Sequence, residues 1–223
     1  MKYFTESIIR LVLFIIILLI FWQVSIAHFS DTVNLSLIFG LVLLTYPLIL
    51  AGRKLLDRHQ TRTWAEWTTT LVHVGLGITF GVPIVRAITT YDDWKGWVIP
   101  IPGIIGLVLV IITGAAFLMT VANLAIKGFG APFFIALSKK LASDWMYART
   151  RNPMVLAGVA LLLSLGIWFQ SVLFILWALV FFTPALLFFI KVFEERELEF
   201  RFGESYLEYK KRTPMLFPKK PGG

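Results

Sequence analysis

From Val155 to Ile190 the chain carries no charged side chain. As one helix rising 1.5 Å per residue, that stretch of about 36 residues would run about 54 Å, almost twice the roughly 30 Å hydrocarbon layer of a bilayer. It must therefore fold back. Gly166 and the polar pair Gln170-Ser171 mark the tip, which predicts a short helix, a turn and a longer helix containing Pro184.

Four further apolar runs meet or approach the roughly twenty residues a spanning helix needs: Ile8 to Ala27, Leu35 to Leu50, Leu71 to Ile88 and Val98 to Ile126. The first is too long for a signal-peptide core and lacks a small-residue cleavage site, so it reads as a retained helix. Only 15% of residues are charged and 58% are hydrophobic, against about a quarter charged in a soluble domain. The expected fold is all-α: a polytopic membrane protein with four spans, a C-terminal helical hairpin and an amphipathic cytoplasmic helix. Residues 1–126 form an N-terminal four-span region. Residues 127–223 add a loop, the hairpin and a charged C-terminal region.

Cations set the orientation, because short inner loops carry the excess of Lys and Arg. Arg53, Lys54, Arg58, Arg62, Lys127, Lys139, Lys140, Arg149, Arg151 and the tail from Lys191 to Lys220 fall on one side. Asp31, Asp92, Asp93 and Lys95 fall on the other, with Tyr91, Trp94 and Trp97 as interface anchors. Both termini are thus expected in the cytoplasm, in the cell inner membrane. The net charge of +8 flanks apolar helices rather than forming a basic surface with stacking platforms, which excludes nucleic acid and leaves topology and anionic lipid. With no cysteine and only His28, His59 and His73 as imidazoles, the chain has no thiolate chemistry and no metal motif.

The richest chemistry lies in two segments. Met146-Tyr147-Ala148-Arg149-Thr150-Arg151-Asn152-Pro153 places fixed charge and a helix breaker just before the hairpin. Glu194-Glu195 follows directly after it. Proline restricts the residue before it, so Asn152 sits extended at the mouth of the helix starting near Met154, as a cap or a site residue. Carboxylates at a membrane boundary need water, a cation or donors. Glu194 and Glu195 either snorkel and pair with Lys191 or Arg196, or divide the work, one facing a ligand while the other holds Arg149 or Arg151. Leu198, Phe202, Tyr206 and Tyr209 share a face with Glu194 if residues 194–209 form one amphipathic helix; Arg196, Glu197, Arg201, Glu204, Glu208 and Lys211 then give the wet side, with Gly203 as a weak point.

Arg151-Asn152-Pro153-Met154-Val155-Leu156-Ala157 and Glu194-Glu195-Arg196-Glu197-Leu198, followed by Phe202-Gly203, Tyr206, Tyr209, Pro214 and Pro218, resemble the paired signatures of the membrane methyltransferase superfamily that includes isoprenylcysteine carboxyl methyltransferases and phospholipid N-methyltransferases. Gly128-Phe129-Gly130-Ala131-Pro132 is similar to the glycine-rich loop of bacterial members. The resemblance implies an S-adenosyl-L-methionine site at the cytoplasmic membrane face and a membrane lipid or lipidic small molecule, isoprenoid or phospholipid, as acceptor, with no obligate protein partner. It makes residues 127–223 a cytoplasmic loop, the hairpin and a C-terminal cofactor-binding region, and assigns cofactor binding to Tyr147, Arg151, Asn152, Pro153, Glu194 and Glu195. Arg149 and Glu194 are the catalytic candidates, Arg149 balancing acceptor charge and Glu194 as a base. Val155, Ala157 and Met215 depart from the family pattern, where tyrosine, glycine and arginine are usual. Other readings are a methyltransferase for a small thiol or other small hydrophobic molecule, and a lipid-binding protein without catalysis. A carrier or channel using His73 and Arg86 is weaker still. Pro47, Pro83 and Pro184 read as ordinary helix bends.

Overall fold

The structure is a computed structural model that describes residues 2–58, 61–94, 96–128, 141, 143 and 145–217. In those residues the chain is all-α, and four helical segments are long and apolar enough to cross a membrane: Asp31–Arg58, Thr63–Thr89, Gly103–Leu124 and Val172–Phe202. Pro153–Trp168 is a shorter apolar helix, and Ile15–Ile26 is the apolar C-terminal half of the helix Lys2–Ile26. Three of these correspond to the expected spans Leu35 to Leu50, Leu71 to Ile88 and Val98 to Ile126, and the fourth is the second arm of the expected hairpin. Val172–Phe202 is long enough to count, because the helix after the turn continues well past the apolar run into charged sequence.

The elements follow one another as α1 (Lys2–Ile26), α2 (Asp31–Arg58), α3 (Arg62–Leu76), α4 (Val82–Thr89), α5 (Tyr91–Trp94), α6 (Gly103–Gly128), α7 (Pro153–Trp168), α8 (Val172–Leu176), α9 (Thr183–Phe189), α10 (Glu195–Phe202) and α11 (Glu204–Arg212). Local chemistry sets several boundaries. Asp31 opens α2 and Arg58 closes it, each matching the helix dipole. Thr61 Oγ1 accepts from Trp64 N at the start of α3, and Ser171 Oγ accepts from Phe174 N at 3.1 Å at the start of α8. Pro153 opens α7, where its missing N–H costs nothing.

Three π-helical turns interrupt the long segments: Gly77–Gly81, Trp177–Phe182 and Ile190–Glu194. The first two directly precede Pro83 and Pro184. A proline ring collides with the carbonyl four residues back and offers it no hydrogen, and a widened turn relieves both. Thr183 Oγ1 adds a bond to Ala178 O at 2.7 Å. The third turn has no proline. There Arg53 Nη1, from α2, donates to Val192 O at 2.8 Å.

Residue pairings give the helix directions. Trp177 Nε1 donates to Ile38 O at 3.2 Å, Phe39 meets Phe181 edge-on, Tyr46 packs on Phe188 and Asp57 pairs with Arg196. Both sets of numbers rise together, so α2 and the segment from α8 to α10 are parallel. His73 on Phe189 and Phe80 on Phe182 run in opposite order, so α3–α4 is antiparallel to that segment. Thr113 reaches Ser164 at 3.3 Å, and Gly106 lies so close to the Trp168 backbone that a Cβ there would collide with it; α6 and α7 are therefore an antiparallel pair. The fully buried Ile38, Val42, Ile49, Phe174, Trp177, Ile190 and Phe193 form the core where α2 meets the last segment.

Two sequence expectations fail here for packing reasons. Trp94 is buried rather than an interface anchor, because it stacks on Phe174 and meets Trp177 edge-on; Trp97 remains exposed. Residues 194–209 are two helices rather than one. Gly203 takes φ 53° and ψ −131°, a backbone region that L side chains rarely adopt, and the chain bends there. Within α10, Glu197 also leaves the expected wet face: it is buried and paired with Arg201 at 2.9 Å.

Candidate active site

One end of the molecule gathers the charged residues of α10 and α11 around the loop before α7. Tyr147 and Thr150 are buried there, and the 3-10 turn Trp145–Ala148 carries the chain into Arg151. Three contacts fasten this loop to the C-terminal segment: Arg151 N donates to Pro214 O at 2.9 Å, Thr150 Oγ1 to Met215 O at 3.1 Å and Asn152 Nδ2 to Met215 O at 3.0 Å. Asn152 stands at the mouth of α7 with φ −129° and ψ 58°, yet its side chain makes no cap bond. The amide serves the tertiary contact instead, which sets aside the reading of Asn152 as only a helix cap.

Glu195 is the hub. Its Oε1 lies 2.9 Å from Arg151 Nη1 and its Oε2 lies 2.8 Å from Lys210 Nζ and 3.4 Å from Lys191 Nζ. Both Glu195 and Arg151 are nearly inaccessible, and a carboxylate in that position requires compensating charge. Lys210 also reaches Glu199 at 2.9 Å, so α11 is folded back onto α10. Burial alone would lower the Lys210 ammonium, but its hydrogen bonds to Glu195 and Glu199 outweigh that and raise it. Among the described residues the adjacent Arg151 Nε is buried without a hydrogen-bond partner, and the Arg151–Glu195 contact is a charge contact that leaves Glu195 Oε1 likewise short of a hydrogen bond.

Glu194 turns another way from the same helix. It is half-buried, and among the described residues no hydrogen bond or ion pair engages its carboxylate. Two phenols stand near it. Burial and the Glu194 carboxylate both raise the Tyr147 hydroxyl above its usual range. Burial, then the carboxylates Glu195 and Glu194, push Tyr206 up to about 12 against the pull of Arg151. Tyr206 Oη accepts from Arg151 Nη1 at 3.4 Å, and Tyr209 Oη donates to Tyr147 O at 2.7 Å. Both phenols thus remain protonated donors at neutral pH.

The structure brings Tyr147, Arg151, Asn152, Pro153 and Glu195 together, with Glu194 beside them. Arg149 is exposed, and no hydrogen bond or ion pair of its side chain is found among the described residues. Lys191, expected from sequence as a partner of the glutamate pair, joins the cluster; Lys210 and Thr150 complete it and were not singled out from sequence. Lys210 had a readable signal, since it lies one residue after Tyr209 in the same segment. In the glycine-rich stretch only Gly128 is described, as the last residue of α6; Phe129 to Pro132, and Pro218, lie outside the described residues. The departures Val155 and Met215 pack against the core. His73 is likewise structural, with Nδ1 2.8 Å from Thr69 O and its ring edge-on to Phe189.

An unpartnered carboxylate, an unpartnered guanidinium N–H and protonated phenols form a surface that can hold a ligand with a carboxylate, hydroxyls and cationic character. These groups fit S-adenosylmethionine. Residues 102–205 match the phospholipid methyltransferase family. No curated protein and no solved structure gives a significant match to the chain.

Proposed function

We propose, for a chain whose residues 102–205 match the phospholipid methyltransferase family, that Arg151 and Glu194 hold the two polar ends of its methyl donor. The protein is an S-adenosylmethionine-dependent membrane methyltransferase acting on a lipid-like acceptor. The observation that carries the site assignment is the asymmetry of the glutamate pair. Glu195 is committed to Arg151, Lys210 and Lys191, while Glu194 stands half-buried with no partner among the described residues.

Bound S-adenosylmethionine supplies a sulfonium-activated methyl, so the protein's main contribution is alignment and exclusion of water. Arg151 Nε is the donor for a carboxylate. Glu194 accepts from ribose hydroxyls or faces the positive charge, and Tyr147 and Tyr206 supply phenolic donors beside it. Asn152 and Pro153 act through the backbone: the amide fixes the Met215 strap, and the proline fixes the direction in which α7 leaves. Glu194 is better suited to binding than to proton transfer, because the phenols beside it stay protonated at neutral pH and take no proton from it. Arg149, exposed next to the site, meets the charged part of the acceptor. We read residues 1–126 as scaffold and 127–223 as the part that supplies the cofactor contacts. The reversal at Phe169–Ser171 is read as a membrane hairpin, the α10–α11 pair as its cytoplasmic cover, and the charged end, with both termini, as facing the cytoplasm across the inner membrane. The Lys and Arg distribution supports that orientation.

Calorimetry in detergent or nanodiscs with S-adenosylmethionine and S-adenosylhomocysteine tests the site. Stoichiometric binding is expected, weakened at least about tenfold by Glu194→Gln, a loss matching one charge-assisted hydrogen bond. Glu204→Gln, at an exposed position, leaves it unchanged. Equal affinity in Glu194→Gln and the parent would remove Glu194 from the site.

A further inference from the structure

The π-turn Ile190–Glu194 leads directly into Glu195, and no proline accounts for it. Its closing bond runs from Glu195 N to Ile190 O, five residues back, where a continuous α-helix would use Lys191 O. The turn therefore holds one residue more than an α-helical turn. The segment before it is fixed in the core by the buried Phe182, Ala185 and Phe189. Each residue advances an α-helix by about 100°, so closing the turn to regular α-helix would carry α10 round by one position. Glu194 would then take the direction Glu195 has now, toward Arg151 and Lys210. The width of this turn decides which glutamate is committed to those cations.

Helix α2 holds the turn through residues 52, 53 and 57. A Cβ on Gly52 would collide with Val72 and crowd the Phe193 ring at 3.2 Å, so the glycine lets α2 lie close against the turn. Arg53 comes next, and its Nη1 donates to Val192 O at 2.8 Å, a hydrogen bond strengthened by the guanidinium charge. Asp57 pairs with Arg53 and, at 3.1 Å, with Arg196, the residue after Glu195. Closing the turn would swing Arg196 away from Asp57. The contacts of α2 thus fit the wide turn on both of its sides.

We infer that Arg53 is a positioning residue for the methyl-transfer site, holding the Ile190–Glu194 turn wide so that Glu195 meets Arg151 and Lys210 while Glu194 is left for the methyl donor. This rests on the placement of the donor beside Glu194. Arg53 acts through the turn, since its contacts are Asp57 and the Val192 carbonyl.

The test uses the full-length protein in nanodiscs, with Glu194→Gln and Glu195→Gln each made in the parent and in Arg53→Met. Denaturation midpoints of the ligand-free protein are read beside calorimetric binding of S-adenosylhomocysteine. In the parent, Glu195→Gln should lower the midpoint and Glu194→Gln should not. In Arg53→Met the two should exchange roles, and a contact that only adds stability would leave them as they are. Arg53→Met should also bind S-adenosylhomocysteine about tenfold more weakly or worse, with Glu194→Gln adding no further loss. Arg53→Lys, which can still donate to the carbonyl, should keep the parent pattern, as should Lys54→Met at the exposed neighbouring position. Should Arg53→Met not fold, Arg53→Gln, whose amide is too short to reach the carbonyl as the guanidinium does, gives the same comparison. Parent affinity in the Arg53 variant, or Glu195→Gln still the damaging change there, would make Arg53 a stabilising contact only and overturn the inference. If the parent binds no S-adenosylhomocysteine the cofactor placement fails, while the midpoints still decide whether Arg53 sets the glutamate pair.

Discussion

Arg86 shows how a single charge deep in an apolar bundle can be wholly structural. It is 3% exposed. Its Nη1 donates to Val24 O at 2.7 Å and Ala27 O at 3.0 Å, its Nε to Asn34 Oδ1, and its guanidinium stands over the Phe29 ring. These are carbonyls at the end of α1 that no helical N–H can reach, so the arginine closes that helix and ties it to α2 and α4. A role in a polar pathway is unnecessary to explain it. Replacing Arg86 with Met strands several buried acceptors and should cost about 2–4 kcal/mol, read as a lower midpoint in detergent denaturation, with Arg86→Lys recovering part of it. The glutamates divide by the same logic. Glu195→Gln leaves the buried Arg151 without its carboxylate and takes from Lys210 one of its two, Glu199 remaining, and should destabilise the protein by about 2–4 kcal/mol. Glu194→Gln removes no protein contact found here and should leave the midpoint within about 0.5 kcal/mol while weakening cofactor binding.

Among the elements, α11 is held by geometry that sequence periodicity obscures. Gly203, at φ 53° and ψ −131°, lets α11 turn back so that Lys210 reaches both Glu195 and Glu199. A Cβ on Gly203 would meet no neighbour, so the penalty of Gly203→Ala is backbone strain alone, about 1–3 kcal/mol. That variant should lose cofactor affinity together with stability. The tyrosines that α11 buries give a pH signature. Tyr206 titrates near 12 against an ordinary 10.0, because burial and Glu195 disfavour its anion. Between those values the unfolded chain has released the proton and the native state has kept it, so stability falls as pH rises above about 10. Ultraviolet titration of tyrosinate should show a late component that shrinks in Tyr206→Phe.

For the whole molecule, the parallel alignment of α2 with the segment from α8 to α10 puts Asp31 and Asn34 at one end, and Arg53, Asp57 and the glutamate cluster at the other. Asn34 Nδ2 bonds Thr90 Oγ1 at 2.8 Å, which places the Tyr91–Trp94 turn at the end away from the site. With no native cysteine, single cysteines at Asp92 and at the exposed Lys211 should label from opposite faces of sealed vesicles, and labelling from one face would refute the orientation. Arg53 joins the scaffold to the site, since it bonds the Val192 carbonyl within the π-turn immediately before Glu195 and pairs with Asp57.

Hydrophobic length and proline position were enough to show the all-helical membrane class, the break near Gln170 and the bends before Pro83 and Pro184, because these depend on local properties of the chain. The ordered Arg151-Asn152-Pro153 and Glu194-Glu195 segments likewise marked residues that the structure gathers into one charged cluster, since charge beside apolar sequence demands a partner wherever it folds. Which partner each charge takes was decided only in three dimensions. Lys210 is fifteen positions from Glu195 and Arg151 is more than forty, and helical spacing cannot rank such distant candidates. The π-turn at Ile190–Glu194 resets the helix face by one residue, and Gly203 then bends the chain, so a face drawn with a constant 3.6-residue period fails after Phe189. Packing therefore buried Trp94 and Glu197, paired Glu195 and left Glu194 without a partner among the described residues, because it weighs contacts from several elements at once where sequence pattern weighs one.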